Sequence, residues 1–394
     1  MTTILGIIII VCILLVIFYV ARTVELTKEL KGEADDTEST SNVQGYLMLG
    51  FLIAFFIGIT WSSIYFIPKM LPAPSSVHGV EVEKLFNMTL FFTGIVFVVT
   101  HIVLFWFAFK YREKKGAKAY HFSHSNMLEL LWTAIPAVVM LVLVVKGLVT
   151  WLSIFPDTKT LTKDTMVIEV TAQQFKWNIR YPGVDKDFGS RKIDTAHIGI
   201  ATPDVWWKNE LGIDWTDKAS HDDFFADTLY LVKNKPVLMK LGALDVLHSF
   251  YLPHFRVKMD CVPGVPTTFY FIPNESTVEK RKLLSKLPEW QKINPETGLP
   301  KYATFNFELA CAELCGRSHY NMQRYVMVVE QAEYDAWVLS HTPIYAAVEK
   351  AQNDALAKLN GSETSNAILS DSLKVAVDSQ LVVESASNEV VLEK

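Results

Sequence analysis

Cysteine is scarce in this chain. The 394 residues hold four, Cys12, Cys261, Cys311 and Cys315, too few and too scattered for a disulfide scaffold. No CxxCH occurs, so no c-type haem is attached to this chain. Charge is scarce too. Asp, Glu, Lys and Arg make up 20% of the residues and the net charge is −5, which leaves no compositional case for nucleic acid binding. Internal repeats are absent. What fills the space is apolar: half of the residues are hydrophobic, a balance that leans toward a membrane protein.

Four apolar runs account for this. Met1 to Ala21, Tyr46 to Ile67 and Leu85 to Phe109 carry no Asp, Glu, Lys or Arg. The fourth, Leu130 to Val145, continues past Lys146 to Phe155. Each supplies about 20 residues, enough to cross a hydrocarbon core, and a lysine near a helix end reaches the interface. The first run lacks a basic segment before it, which favours a retained helix over a cleaved signal. The expectation is four transmembrane helices within residues 1–157. The loop after the third run holds five Lys or Arg, and that between the first and second holds Arg22, Lys28 and Lys31; the loop between the second and third holds only Lys69 and Lys84. The positive-inside rule therefore places loops one and three in the cytoplasm and both termini outside. His101, inside the third run, reads as a polar contact between helices.

From Thr165 the pattern changes. TMVIEVTAQQFKWNIRYPG, DTLYLVKNKPVLMKLGA, VPTTFYFIP, FNFELA and RYVMVVEQ alternate with turn signals, the mark of short strands in an all-β sandwich or barrel. This external domain spans 158–342. Residues 184–226, rich in Asp, Trp and Gly, and residues 279–301, rich in Lys, read as surface insertions. Residues 343–394 hold eight acidic residues and one aromatic; they read as a flexible acidic tail with a short helix near its start.

One stretch carries chemistry. CAELCGRSHYNM places Cys311, Cys315, His319 and Met322 at intervals of four, four and three. Thiolate and imidazole suit zinc, copper or iron–sulfur. The second His of a Cys2His2 zinc site is missing at the usual spacing, and zinc gives the thioether no role, whereas copper sites use a weak Met ligand. A Cys311–Cys315 disulfide is a further option in an oxidising compartment. LDVLHSFYLPHF offers His248 and His254 as a second histidine. Spacing alone leaves copper level with all the other readings together.

DVLHSFYLP, then KMDCVPGVPTTF, then CAELCGRSHYNM strongly resembles subunit II of cytochrome c oxidase. LFWFAFKYREKK followed by MLELLWTAIPAVVMLVLV looks like that family's helix pair and its loop. The resemblance covers roughly residues 85–342, and the first two helices and the tail are extra to it. It implies a cupredoxin-like β domain with a dinuclear copper centre, CuA. In that set Cys311 and Cys315 bridge both coppers, His248 and His319 cap one each, Met322 is a weak ligand to one and the Glu313 carbonyl serves the other. The Glu313 carboxylate would help bind magnesium at the boundary with subunit I, where Lys258 and Asp260 match the family's K-x-D pair. Electrons enter through a Gln-Trp-x-Trp stretch in the family; here Gln174, Phe175, Lys176 and Trp177 stand there, so Phe175 replaces the first tryptophan. Glu129 falls at the mouth of a proton path into subunit I, against the plainer reading of a helix-start acid. His254 and Cys261 match no family ligand and read as structural.

The implied function is that of an electron-transfer subunit of a proton-pumping terminal oxidase. Such a chain takes electrons from cytochrome c, or a cytochrome domain of a neighbouring complex, and passes them to haem in subunit I. It carries no catalytic residue of its own, and haem resides only in the partner. The implied location is a bacterial inner membrane with the C-terminal domain in the periplasm. The acidic insertion around Asp214 to Asp227 would attract a basic cytochrome by steering. The rival readings are a CuA subunit of a nitric oxide reductase and a membrane-anchored metal-binding protein with no redox role.

Overall fold

The structure is a computed structural model that describes residues 2–31, 37–118, 120–191, 211–350 and 353. Residues 192–210 of the first insertion and most of the tail therefore lie outside the described residues. The chain divides into two compact units, one built from residues up to 70 with 85–145, the other from 71–84 with the chain from 146 onward.

The first unit is helical: α1 (Thr2–Leu30), α2 (Thr37–Phe66), and most of α3 (Val77–Lys110) and α4 (Asn126–Ile154). Among the described residues three helices are long and apolar enough to cross a membrane, Thr40–Phe66, Val77–Lys110 and Asn126–Ile154. The expected count was four. The remaining run does fold as a helix, α1, but its side chains up to residue 10 lie outside the described set. Helices α2 and α3 pack through aromatic rings, with Phe55 stacked on His101 at 5.2 Å and Phe97 beside it at 4.2 Å. His101 Nδ1 lies 2.7 Å from the Phe97 carbonyl one turn back, so its polar atom is satisfied within its own helix. At the other end of the pair, Arg112 Nε donates to Asn42 Oδ1 at 2.7 Å and its guanidinium covers Phe109.

Among the described residues, the second unit is a sandwich of ten strands. β1 (Met166–Gln173), β2 (Lys176–Tyr181), β3 (Phe224–Ala226), β5 (Val237–Ala243) and β8 (Thr267–Phe271) form one sheet in the order β3-β2-β1-β5-β8. β4 (Leu229–Val232), β6 (His248–Leu252), β7 (Val257–Cys261), β9 (Phe307–Cys311) and β10 (Gln323–Val329) form the other, in the order β4-β10-β9-β6-β7. Period-two alternation decides which face is buried. On β1 it turns Ile168 and Val170 inward; on β9, Phe307 and Leu309; on β6, Phe250 and Leu252. Helix α5 (Thr277–Leu284) opens the second insertion under a capping box of Ser276 and Glu279, a pattern written in the sequence as S-x-x-E. Helix α6 (Gln331–Leu339) follows β10, and the packed structure continues beyond it: the Ile344 amide donates to the Asp223 carbonyl at 2.9 Å and Val348 is buried.

Residues 71–84, including the first turns of α3, belong to the β unit. The Ser75 amide donates to the His254 carbonyl at 2.7 Å, the Val77 amide to the Ile272 carbonyl at 3.0 Å, and Ser76 Oγ to the Phe255 carbonyl at 2.6 Å. Lys280, nearly inaccessible, places its ammonium 3.0 Å from Glu275 and 3.1 Å from Ser75 Oγ. A buried ammonium is tolerable only when paired in this way. The α3 head is thereby fixed in register against the sandwich.

His254 lies at this junction, its ring edge-on to Phe305 and Phe307 at 5.3 Å each. Burial pushes its pKa down to about 4, and the nearby Lys280 and Arg256 add to the shift. The unfolded chain takes up this proton near pH 6.5 and the folded chain only near 4. Between those values the unfolded state holds more protons, so stability falls as pH drops through the window. The loss approaches about 3 kcal/mol at its lower end. His254→Phe keeps the ring packing and removes the titration. Thermal unfolding of the full chain in detergent from pH 7.5 to 4.5 should then show a shallower acid decline than the parent; parallel declines would remove His254 as the cause.

Candidate metal centre

The sheet brings the sequence-predicted ligands to one end. β6 and β9 run antiparallel, with Phe250 opposite Cys311, so the start of β6 lies beside the end of β9. Alternation along β6 turns His248 to the inner face with Phe250, and along β9 it turns Cys311 inward with Leu309. β10 pairs with β9 so that Gln323 faces Ala310, which places Met322, just before the strand, at the same edge. Backbone bonds close the loop between: the Cys311 amide donates to the Met322 carbonyl at 3.2 Å and the Ala312 amide to the Ser249 carbonyl at 3.0 Å.

Cys311 and Cys315 are unbridged, their sulfurs 3.8 Å apart. His248 Nδ1 lies 3.9 Å from Cys311 Sγ and His319 Nδ1 lies 3.5 Å from Cys315 Sγ. Met322 Sδ stands 3.8 Å from Cys315 Sγ, and the Glu313 carbonyl 3.1 Å from Cys311 Sγ. Donor atoms of His248, Cys311 and Cys315 all lie within 4.8 Å of one another, and His319 falls outside that mutual set. Burial, together with the neighbouring Cys311, pushes the Cys315 thiol up to about 11. A thiol raised in this way gives up its proton most readily when a metal ion binds the sulfur, the usual coupling of metal uptake to proton release.

The donor chemistry fits soft metal. The two sulfurs form a shared edge with one imidazole against each. A single tetrahedral ion with Zn–S near 2.3 Å and Zn–N near 2.0 Å draws all four donors to within about 4 Å of each other. Here His319 falls outside the set of donors that lie within 4.8 Å of one another.

Two residues that the sequence reading left without a role support the ligands. Asp245 Oδ1 lies 2.9 Å from His248 Nε2, so Nε2–H donates to the carboxylate and Nδ1 is left facing the sulfur. Burial alone would raise the Asp245 carboxyl; the amides of Gln174 and Val246 and the His248 ring outweigh it and hold the group below its ordinary range. Carboxylate partners of this kind fix the tautomer of a metal-binding histidine. The D-x-x-H spacing was the available sign. Gln174 is the second, with its Nε2 donating to the Cys315 carbonyl at 2.6 Å.

The remaining predicted residues fall as follows. Trp177 is buried; its Nε1 donates to the Met322 carbonyl at 3.3 Å, and its ring meets His248 and Phe250 edge-on at 6.3 and 5.8 Å. Phe175 is half-buried at the β1–β2 tip. Lys258 and Asp260 are exposed on one face of β7, and the Glu313 side chain is exposed. Glu129, exposed in the first turn of α4, accepts the Ser125 amide at 3.4 Å, the contact expected of a helix-start acid. Cys261 is wholly buried, and burial pushes its thiol up to about 12.

The sequence profile described as cytochrome c oxidase subunit II, transmembrane domain, matches residues 60–149. The alternative cytochrome c oxidase subunit 2 of Bradyrhizobium diazoefficiens is 28% identical over 74% of this chain and 90% of its own length. Cytochrome c oxidase subunit 2 of Cereibacter sphaeroides is 24% identical over 69% of this chain and 78% of its own. That of Thermostichus vulcanus is 26% identical over 68% and 77%. A solved periplasmic domain of subunit II from Bradyrhizobium japonicum aligns with 46% of this chain and 96% of its own at 23% identity, with a TM-score of 0.27, a score that gives the likeness no weight. The profile falls mainly on the α3–α4 pair, and these relatives match 68% to 74% of the chain. With three helices long and apolar enough to cross a membrane, a two-sheet β domain and a His/Cys/Cys group that could hold a metal ion, the chain is similar to subunit II of cytochrome c oxidase.

Proposed function

We propose that this chain accepts electrons one at a time from a c-type cytochrome at a dinuclear copper centre and hands them to haem in subunit I of a proton-pumping terminal oxidase. The observation that carries the reading is the donor arrangement: two unbridged sulfurs 3.8 Å apart, with His248 against one and His319 against the other. When bound, the copper pair would supply a one-electron carrier spread over two metals. The chain's own part is to hold Cys311, Cys315, His248, His319, Met322 and the Glu313 carbonyl still while charge changes. Ligands anchored at the ends of packed strands meet that requirement better than ligands on free loops.

The rest of the assignment follows from the same reading. The exposed Glu313 carboxylate, a hard oxygen donor, suits magnesium at the boundary with subunit I. Lys258 and Asp260, on an exposed strand face, meet that same subunit. Trp177 receives electrons beneath the surface, with Phe175 above it. Glu129 stands at the mouth of a proton path. Helix α1 is the fourth span, which leaves the β domain in the periplasm and the Arg112 loop in the cytoplasm. The printed names of the relatives are oxidase names, which favours an oxidase partner over a nitric oxide reductase.

Metal analysis with electron paramagnetic resonance tests the core of this. Two coppers per chain sharing one unpaired electron support it; a colourless protein with one zinc ends it. Met322→Leu gives a finer check. Met322 is fully buried and leucine is close in volume, so the fold should hold at a cost below about 1.5 kcal/mol. The copper spectrum should change and electron transfer should slow. An unchanged spectrum removes Met322 from the ligand set.

A further inference from the structure

The tip between β1 and β2 touches every segment that bears a predicted ligand. The Gln174 amide donates to Asp245 Oδ2 at 2.7 Å, and Asp245 in turn holds His248 Nε2 at 2.9 Å. Gln174 Nε2 donates to the Cys315 carbonyl at 2.6 Å. Three residues on, Trp177 Nε1 donates to the Met322 carbonyl. The tip also approaches the cysteine loop at a glycine. Gly316 has φ +130°, and a Cβ there would stand 2.8 Å from Gln174 Nε2 and 3.2 Å from the Phe175 ring. Glycine is the residue that permits both the backbone angle and the close approach.

The loop has little else to hold its centre. Its ends are tied by the Cys311 and Ala312 amides, and its far side by the local His319-to-Gly316 and Met322-to-His319 bonds. The Gln174 side-chain amide adds a hydrogen bond from the β1–β2 tip to the Cys315 carbonyl, beside the contact of Cys311 Sγ with the Glu313 carbonyl. Without it the Cys315 segment is held only by bonds from within its own loop and from Cys311 at the loop's start.

We propose that Gln174 is a positioning residue: it clamps the Cys315 loop and, through Asp245, the His248 segment to one strand tip, so that both sulfurs and the imidazole are set before metal arrives. Phe175 seals the clamp by packing over Gly316. The consequence for copper rests on the function proposed above, but the clamp itself is measurable without metal. Hydrogen bonds of this kind contribute about 0.5–1.5 kcal/mol, so local opening should become up to about tenfold more frequent when the bond is lost.

The test uses the full chain in detergent with Gln174→Ala and the near-isosteric Gln174→Glu, which keeps the bulk and cannot donate. In copper-free protein, amide exchange at 313–317 should quicken severalfold in both variants while β5 and β8 exchange at the parental rate. After copper loading, metal content should match the parent while the paramagnetic spectrum and the reduction potential shift. Unchanged exchange at 313–317, or a rise spread evenly over the sandwich, overturns the clamp. An unchanged spectrum and potential at full copper content overturns its link to the metal. A parent chain that fails to bind two coppers overturns the electron-transfer reading instead, and leaves the exchange result to decide Gln174.

Discussion

Arg180→Met should destabilise the β domain by about 3–5 kcal/mol, the cost of leaving buried carboxylates without their cation. Arg180 closes β2 with its side chain almost wholly buried. Its Nε donates to Asp223 at 3.1 Å, a second nitrogen contacts the same carboxylate, Nη1 reaches Glu169 at 3.0 Å, and Nη2 also donates to the Gly189 carbonyl at 2.8 Å. Asp223 is fully inaccessible, and burial pushes its carboxyl up to about 6 even with Arg180 against it. A carboxyl raised in the folded state favours the fold while protonated and loses that support as pH rises through its folded value. The penalty of Arg180→Met should therefore be larger at pH 7.5 than at pH 5. Urea unfolding followed by tryptophan emission at both values measures it. Arg180→Met with Asp223→Leu should recover part of the loss, because both ends of the pair are then apolar. A single-variant loss under about 1 kcal/mol at pH 7.5 would show that the cluster is not what pins the first insertion to the sheet.

The same cluster marks the limit of reading this chain from sequence. Arg180 and Asp223 lie 43 positions apart, and nothing local says that one neutralises the other; Asp223 reads as one more acid of the insertion. The α3 head behaves alike. Ser75 precedes an apolar run and Lys280 sits in a lysine-rich stretch, so their burial against each other depends on a fold that brings 75 next to 275. What could be read was what repeats locally. Period-two alternation around Ile168 and Val170 marked β1, and the long uncharged runs marked helices. The interval of four, four and three put Cys311, Cys315, His319 and Met322 on one loop. LDVLHSFYLPHF offered both His248 and His254, and the family likeness of DVLHSF singled out His248; its supporting Asp245 was visible in that same stretch yet stayed without a role. Gln174 stayed hidden for a further reason. Its contacts run from a strand tip to a carbonyl 141 positions away, and a backbone carbonyl has no residue-type signature.

Cys315→Ser should lose copper while the sandwich stays folded, and comparison with Cys261→Ser separates that from simple instability. Both thiols are buried, Cys315 at 4% and Cys261 at 0% exposure, so each serine sets a hydroxyl in an apolar place at a cost of about 1–3 kcal/mol. The stability penalties should thus be alike. The chemistry differs. Cys315 lies within reach of Cys311, His319 and Met322, whereas Cys261 is absent from the cluster of donors within mutual reach. A hydroxyl is neither soft nor readily ionised, so the shared edge between two metal positions is gone. Loss of an outer support already costs about 10–100-fold in metal affinity; loss of a bridging sulfur should exceed that and leave at most one weakly held ion. Cys261→Ser should keep its copper and spectrum and show only the drop in unfolding temperature. Copper content by elemental analysis, with thermal unfolding on the same samples, gives both readouts. Equal copper loss in the two variants would mean that general loosening, and not a missing sulfur, empties the centre. Full copper in Cys315→Ser would take that sulfur out of the bridge and with it the delocalised pair on which fast electron transfer is argued.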